Sequence, residues 1–436
     1  MTNLLLFSLL GCVAGTITGA LPGLSNSVTM VILYPLLSML HPNEIIAFYI
    51  AMITATQYFG NAAATLLGIP TEPTCLPSAT EGYRLTRRGC ASEALSSGAI
   101  ASFCGSLIAV TCSIAIFFIG NNYSLLYNFK LQFTIILLTC AIAVFSSSNK
   151  RIVSFILLLL GYFIGMIGTN PITRESFFTF DNPYLASGIP PIIFLVFLYS
   201  LPSLLIFEKK NIKSNIFEPI TYKFILPLAT VIRSSFIGFI CGFIPMLGIV
   251  ISSNLSYSIE RFINRKTYST IGDIRGLASS DAGHNSGIVA SLIPLFCLAI
   301  PITASEYIVY DLTTYRGLVY NYGWLTTNYL WIFGIFIFAN LFGVATSWPL
   351  SITLMRIIVR HMDHFKYFGI AMLAIAVFYV GVTANQLQFF IACSAVFLPI
   401  GLLLRKLDLL PLLLGYMLSQ QFDNVTRIVY SLYFKG

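Results

Sequence analysis

The chain has 436 residues, 57% of them hydrophobic and only 9% charged, with a formal net charge of +8. A soluble domain carries about 25% charged residues to solvate its surface, and no single core buries so large an apolar surplus, so lipid must solvate most side chains. The basic residues lie in short loops between apolar runs, a topological signal that argues against a nucleic-acid surface.

The apolar run 4–14 has the length of a signal-peptide core. It lacks a positive n-region and continues into further apolar sequence, so it reads as structural. Residues 11–27 are apolar but interrupted, with Gly15, Gly19, Pro22 and Gly23 followed by Ser25, Asn26 and Ser27. A second polar group follows, Gln57 through Gly60 and Asn61 to Thr65, and then the landmark Gly68-Ile69-Pro70.

About 20 apolar residues cross a bilayer as a helix. Spans are expected at 97–119, 131–145, 152–168 and 189–207, then at 329–349, 368–382 and 387–404, with a further apolar stretch at 409–418. Between them the first interrupted motif recurs. Gly238, Gly242 and Pro245 match Gly15, Gly19 and Pro22 at one constant offset. Gly248, Ser252, Ser253 and Asn254 follow, and Ala299-Ile300-Pro301 matches the later landmark. The pair is an internal repeat, and GxxxG packing alone would not place both breaks in register.

Residues 1–83 hold no Lys or Arg; basic residues fall in loops 84–88, 150–151, 209–223, 261–275, 356–366 and 405–406. All six can lie in the cytoplasm if each broken motif is a hairpin returning to its starting side. The first motif then starts outside and the second inside. The expected architecture is an all-α polytopic membrane protein of two inverted repeats with discontinuous helices, roughly 10–12 membrane segments in one transport domain. The repeats span 1–207 and 223–436, joined by a cytoplasmic linker at 208–222.

A helix broken at membrane depth leaves backbone groups that must line a cavity or pack on protein. Amides at a half-helix N-terminus suit a carboxylate, and freed carbonyls and hydroxyls suit Na⁺. Ser25, Asn26, Ser27, Ser252, Ser253 and Asn254 sit where such contacts form, and Gly23 and Gly248 allow close backbone approach. In the stretch 279–287, Asp281 and His284 are three apart and share a helical face, where they could hold a proton or a cation. The alternative is that both cap a helix near Arg275 at the cytoplasmic interface. Glu306 stays open between a site and a loop role, Asp311 and Arg316 read as outer-loop residues, and Arg233 reads as a snorkelling anchor.

The nine cysteines form no CxxC and read as small buried hydrophobes. No HExxH, GxxxxGK[ST] or GxSxG occurs, so neither ATP hydrolysis nor another enzymatic activity is expected.

The motifs are similar to those of the large permease subunit of tripartite tricarboxylate transporters, the TctA family. The G-x-x-x-G-x-x-P-G-L stretch is matched by residues 15–24, Y-x-G by Tyr58-Phe59-Gly60, G-I-P by Gly68-Ile69-Pro70, and D-G-Y by Glu81-Gly82-Tyr83 with Gly89 following. In the second half the likeness covers 242–248, 279–285 and 299–301, and Leu414-Gly415 with Leu418 resembles the family's L-G-x-x-L.

That resemblance implies a small four-span membrane subunit and a periplasmic solute-binding protein as partners, a small organic anion such as a tri- or dicarboxylate as solute, and coupling to Na⁺ or H⁺. It implies a multi-pass protein of the bacterial inner membrane, the N-terminus expected in the periplasm. Substrate and ion contacts carry over onto Pro22, Gly23, Ser25, Asn26, Asn61, Pro245, Gly248, Asp281 and Asn285. With the residue reading, the candidate substrate set adds Ser252 and the coupling-ion set is Ser27, Asp281 and His284. Departures are Met246, Thr71 and Ile302 where the family has Gly, Glu81 for Asp, and Gln420 and Gln421 near an expected Glu, with Arg427 alone where a basic pair is usual. These leave the solute open. The alternatives are a channel of similar architecture and an intramembrane enzyme, such as a lipid transferase, using Asp281 and His284.

Overall fold

The computed structural model describes residues 2–21, 24–68, 71–119, 134, 137, 140–141, 144, 149–169, 175–201, 224–244, 248–269, 271–404, 407, 409, 411–413, 415–416 and 418–419. The linker 208–222, Pro22, Gly23, Pro70, Pro245, Met246, Gln420, Gln421 and Arg427 lie outside these residues, as does most of the expected span 131–145.

The fold is all-α apart from a two-residue antiparallel pairing of β1 (Gly168–Thr169) with β2 (Ser176–Phe177). Among the described residues, four helices are long and apolar enough to cross a membrane: Asn3–Ala20, Ala91–Ile116, Gly323–Ile358 and Leu387–Leu404. The protein is a multi-pass membrane protein. Packing divides it into two compact units, one of Met1–Thr29, Leu36–Asn121 and Phe207–Phe368, the other of Met30–Pro35, Asn122–Ile206 and Gly369–Gly436.

The first unit begins with α1 (Thr2–Ala20), a break and the start of α2 (Asn26–Leu37), followed by α3 (Pro42–Leu67). Ser25 ends the break: its Oγ accepts from Val28 N at 3.3 Å, satisfying an amide the helix start leaves unpaired. Thr18 and Thr29 join hydroxyls at 2.8 Å across the break, so the chain turns back there. Beyond α3 come a 3₁₀ turn (Pro73–Cys75), a π turn (Ser78–Gly82), α4 (Tyr83–Arg87) and α5 (Ala91–Ile119).

The same order recurs. It runs α9 (Leu228–Gly242), a break beginning at Phe243 and Ile244, α10 (Gly248–Ile263), α11 (Ile274–Leu298), α12 (Ala304–Tyr315) and α13 (Tyr322–Thr383); α6 to α8 belong to the second unit. The recurrence reaches backbone detail. Gly68 closes α3 in the left-handed region at φ 66° and donates to Ala64 O, while Ala299 closes α11 at φ 57° and donates to Leu295 O. Glycine takes that conformation at little steric cost, but alanine does not.

α9 and α10 form an antiparallel hairpin. Ser252 Oγ donates to Gly238 O (2.9 Å) and Ser256 Oγ to Ser234 O (3.3 Å), so each step along one helix meets a step back along the other. Glu260 lies at the open end, where it pairs with Arg233 and accepts from Thr230 Oγ1 at 2.8 Å. Arg233 is therefore half of an ion pair and no free anchor.

α3 and α11 are 26 and 25 residues long but too polar to register as apolar spans. They are enclosed by protein instead: every residue from Glu44 to Leu67 and from Gly276 to Leu292 is buried. Small residues make that possible. A Cβ at Gly11, Gly15 or Gly19 would overlap the carbonyl oxygen of Phe48, Met52 or Thr56 on α3, and one at Gly238 or Gly242 would overlap that of Gly283 or Gly287 on α11. The contacts then cross between halves. α5 packs on α11, with Gly105 against Ala282, and α13 packs on α3, with Gly343 against Tyr58.

α13 corrects one sequence expectation. The stretch 356–366, read as a loop, is helical on both sides of His361 (φ −114°), the non-helical residue at which two helices join. Its basic side chains are solvated from a helix surface as readily as from a loop, so their charge did not require one.

The second unit packs α6 (Arg151–Met166) on residues 411–419, with Gly161 against Leu412 and Gly415 against Leu158. It also holds α7 (Pro183–Ala186), α8 (Pro191–Leu195) running into a π turn at Val196–Ser200, and α14 (Leu387–Leu404). Phe194 and Tyr416 stack at 4.2 Å.

Candidate functional site

The cap of α11 decides where its acidic residue sits. Asp273 accepts from Arg275 N at 2.9 Å and grips the guanidinium of Arg275, so Asp273 is the N-cap. Burial alone would raise the Asp273 carboxyl, but the Arg275 side chain and the amides of Ser269 and Arg275 outweigh it and hold it below the ordinary value. Asp281 and His284 therefore lie two to three turns inside the helix, with exposures of 2% and 0%. The alternative in which they cap the helix does not hold.

Asp281 Oδ1 accepts from Ser78 Oγ at 2.7 Å, across from the π turn that follows α3. A Cβ at Gly98 would overlap its Oδ2, so glycine on α5 is what admits the carboxylate. Asp281, Gly98 and Ser102 line a narrow cleft with Tyr58, Asn61 and Thr65 of α3. Its volume, about 10 Å³, is room for about one water. Tyr58 is fixed by donating to Asn340 Oδ1 at 2.8 Å.

Buried polar atoms normally find partners, and an unpaired one costs about 1–3 kcal/mol. Here both side-chain polar atoms of Asn61, both ring nitrogens of His284 and the Gln57 carbonyl oxygen are buried without a protein partner. Asn61 thus offers a donor and an acceptor into the cleft that holds a carboxylate. An amide and a carboxylate in a water-poor cleft suit an anion, a proton or a small cation. Among the described residues, no group of three or more His, Cys, Asp or Glu is placed to hold a metal ion.

The first break forms a second locus. Ser25 and Ser27 share a hydrogen bond (2.9 Å), Asn26 Nδ2 donates to Glu72 Oε1 (3.5 Å), and Asn26 Oδ1 is buried without a partner. Glu72 was not singled out from the sequence; the signal available was an acidic residue directly after the Gly68 landmark. At the second break, Gly248 sits against the carbonyls of Cys241 and Gly242. The Ser252 hydroxyl is committed to Gly238 and Gly248 carbonyls, Ser253 to Thr74 O and Ser280, and Asn254 to Val250 O. Asn285 Nδ2 reaches back to Asp281 O at 3.5 Å. The structure thus brings Asn61 and Asp281 to one cleft and leaves Ser252 in a packing bond.

Sequence reading also missed Ser78, Gly98 and Ser102. For Gly98 and Ser102 the signal was the small-residue spacing along 91–105, which marks a helix face meeting another backbone closely; Ser78 carried none. Glu306 is settled as a clamp: buried, it accepts from Ser291 Oγ (3.1 Å) and from the amides of Ile302 (2.8 Å) and Thr303, and completes a capping box with Thr303. Arg316 is exposed and donates to Ser38 O.

A relative with 25% identity over 312 residues is named as an uncharacterized 52.8 kDa protein in the TAR-I ttuC' 3' region of Agrobacterium vitis. The match covers 67% of this chain, and the chain spans 60% of that relative's length. No solved structure matches the chain. The model of the tripartite tricarboxylate transporter TctA family, a family of transporters and not of enzymes, matches residues 5–414. The chain, with its enclosed polar helices α3 and α11, belongs to that TctA family.

Proposed function

We propose that the chain is the large permease subunit of a tripartite, cation-coupled secondary transporter that imports a small organic anion across the bacterial inner membrane. Its partners in this reading are a small four-span membrane subunit and a periplasmic solute-binding protein, and its N-terminus lies in the periplasm. The observation that carries the reading is the cleft between α3, α5 and α11, where the unpartnered Asn61 amide faces a space shared with the buried Asp281 carboxylate.

In this reading the halves are inverted, which fits the crossed packing of α5 on α11 and α13 on α3. Asn61 donates to the solute carboxylate, and Pro22, Gly23, Pro245 and Gly248 are further solute contacts in this reading. Asp281, Ser27 and His284 handle Na⁺ or H⁺, no further cofactor being required. The first break, with Ser25, Asn26 and Glu72, supplies oxygen ligands that suit a hard cation. A cleft with room for about one water favours an alternating-access carrier over an open channel.

The test is accumulation of radiolabelled citrate, succinate or tartrate by cells expressing the chain with its two partner subunits. An ionophore that collapses the coupling gradient should abolish accumulation, and Asp281→Asn should do so while surface expression is kept. Full accumulation by Asp281→Asn, or equilibration insensitive to ionophore, would refute the coupled mechanism.

A further inference from the structure

Away from the cleft, a groove of about 520 Å³ opens between α4 and the end of α10. Arg84, Arg261 and Arg265 line it, together with Ser258, Tyr268 and Ser269. Other arginines nearby are neutralised, Arg233 by Glu260 and Arg275 by Asp273. Arg261 and Arg265 have no ion-pair partner among the described residues, and Arg84 has only a 3.5 Å contact with buried Glu81. Aromatic faces hold the guanidiniums in place: Arg261 Cζ stands 6.0 Å from the Tyr268 ring centroid and Arg265 Cζ 5.6 Å from that of Phe262. Stacking on a ring face leaves a guanidinium's N–H edge free for a second partner.

Position and rim say what fits. α10 rises from the break for 16 residues, about 24 Å, so its far end reaches the membrane surface if the break lies at depth. Beside the arginines, Phe262, Ile263 and Ile271 are 71%, 52% and 59% exposed. Apolar side chains next to uncompensated arginines form an interfacial pattern, the first meeting acyl chains and the second headgroup phosphates.

We propose that this groove binds the headgroup of an anionic phospholipid, its phosphate gripped by Arg84, Arg261 and Arg265 and its glycerol end by the Ser258 and Ser269 hydroxyls. The guanidinium fork matches two phosphate oxygens at once, and the volume suits a headgroup larger than one phosphate.

The experiment is a lipid titration of the purified full-length protein in neutral detergent, read by thermal unfolding. Phosphatidylglycerol should raise the unfolding temperature saturably, while phosphatidylcholine and inorganic phosphate should not. Arg261→Gln with Arg265→Gln should unfold at the wild-type temperature without lipid. It should need roughly thirtyfold more phosphatidylglycerol, about fivefold per arginine at a membrane surface. Arg87→Gln, exposed and outside the groove, should titrate as wild type. An equal shift with phosphatidylcholine, or an undiminished one in the double variant, overturns the site. The whole shift from inorganic phosphate alone overturns the lipid assignment. Should the double variant unfold early, Arg265→Gln alone with its fivefold loss decides.

Discussion

Gly15→Ala and Gly334→Ala are the same chemical change, and the structure predicts opposite outcomes. At Gly15 the new Cβ would overlap Met52 O and stand 2.9 Å from Ala55 Cβ; at Gly334 nothing lies within 4 Å. Ordinary van der Waals contact begins near 3.4 Å, so α1 must withdraw from α3 by roughly 1 Å at this point to clear the Met52 carbonyl oxygen. Overpacking of this kind costs about 1–3 kcal/mol, against a helix-propensity gain of about 0.5–1 kcal/mol that both substitutions share. Gly15→Ala should therefore lose roughly 1–2 kcal/mol and Gly334→Ala should gain up to about 1 kcal/mol. Gly238→Ala, which meets Gly283 O in the other half, should match Gly15→Ala. The assay is the fraction of monodisperse protein surviving a temperature series in detergent. Equal survival of the Gly15→Ala and Gly334→Ala variants would refute the close approach of α1 to α3.

Ala299→Gly should stabilise by about 1 kcal/mol, because φ 57° is strained for alanine; unchanged thermal survival would count against a left-handed cap there. Glu260→Leu should destabilise by roughly 3 kcal/mol by stranding Arg233, and adding Arg233→Leu should recover most of that loss in a double-mutant cycle. Asp273→Asn keeps the cap but loses the Arg275 ion pair. Because the folded carboxyl lies below its ordinary value of 3.8, its contribution is full above that pH and lost as pH falls through the lowered value. The melting difference between wild type and Asp273→Asn should thus hold at neutral pH and vanish in strong acid.

Much of this was legible in the sequence because it depends on local chemistry. The glycine-proline breaks, the landmark after each long helix and span 387–404 follow from residues acting within a few positions of one another. α3 and α11 were harder: Gln57, Asn61, Ser279, Ser280 and Asp281 lower their hydropathy, and protein contacts replace lipid around them. Partnerships made only when separate elements pack together were not legible at all. Ser78 is an ordinary turn serine until Asp281 arrives opposite it, and Glu260 an ordinary helix-end acid until α9 folds back with Arg233. Residues 356–366 misled because positive charge marks a membrane surface equally well on helix and loop.

The serine ladder from α10 to α9 has a mechanical meaning. Ser252 and Ser256 bond to backbone oxygens of α9 while their side chains fill the hollows at Gly287 and Gly283 of α11. Three rods keyed in this way resist sliding, since a shift of one turn would bring hydroxyls onto wrong carbonyls and bulk onto bulk. Keyed in this way, the trio behaves as one stiff piece, and any bending is left to joints elsewhere in the chain.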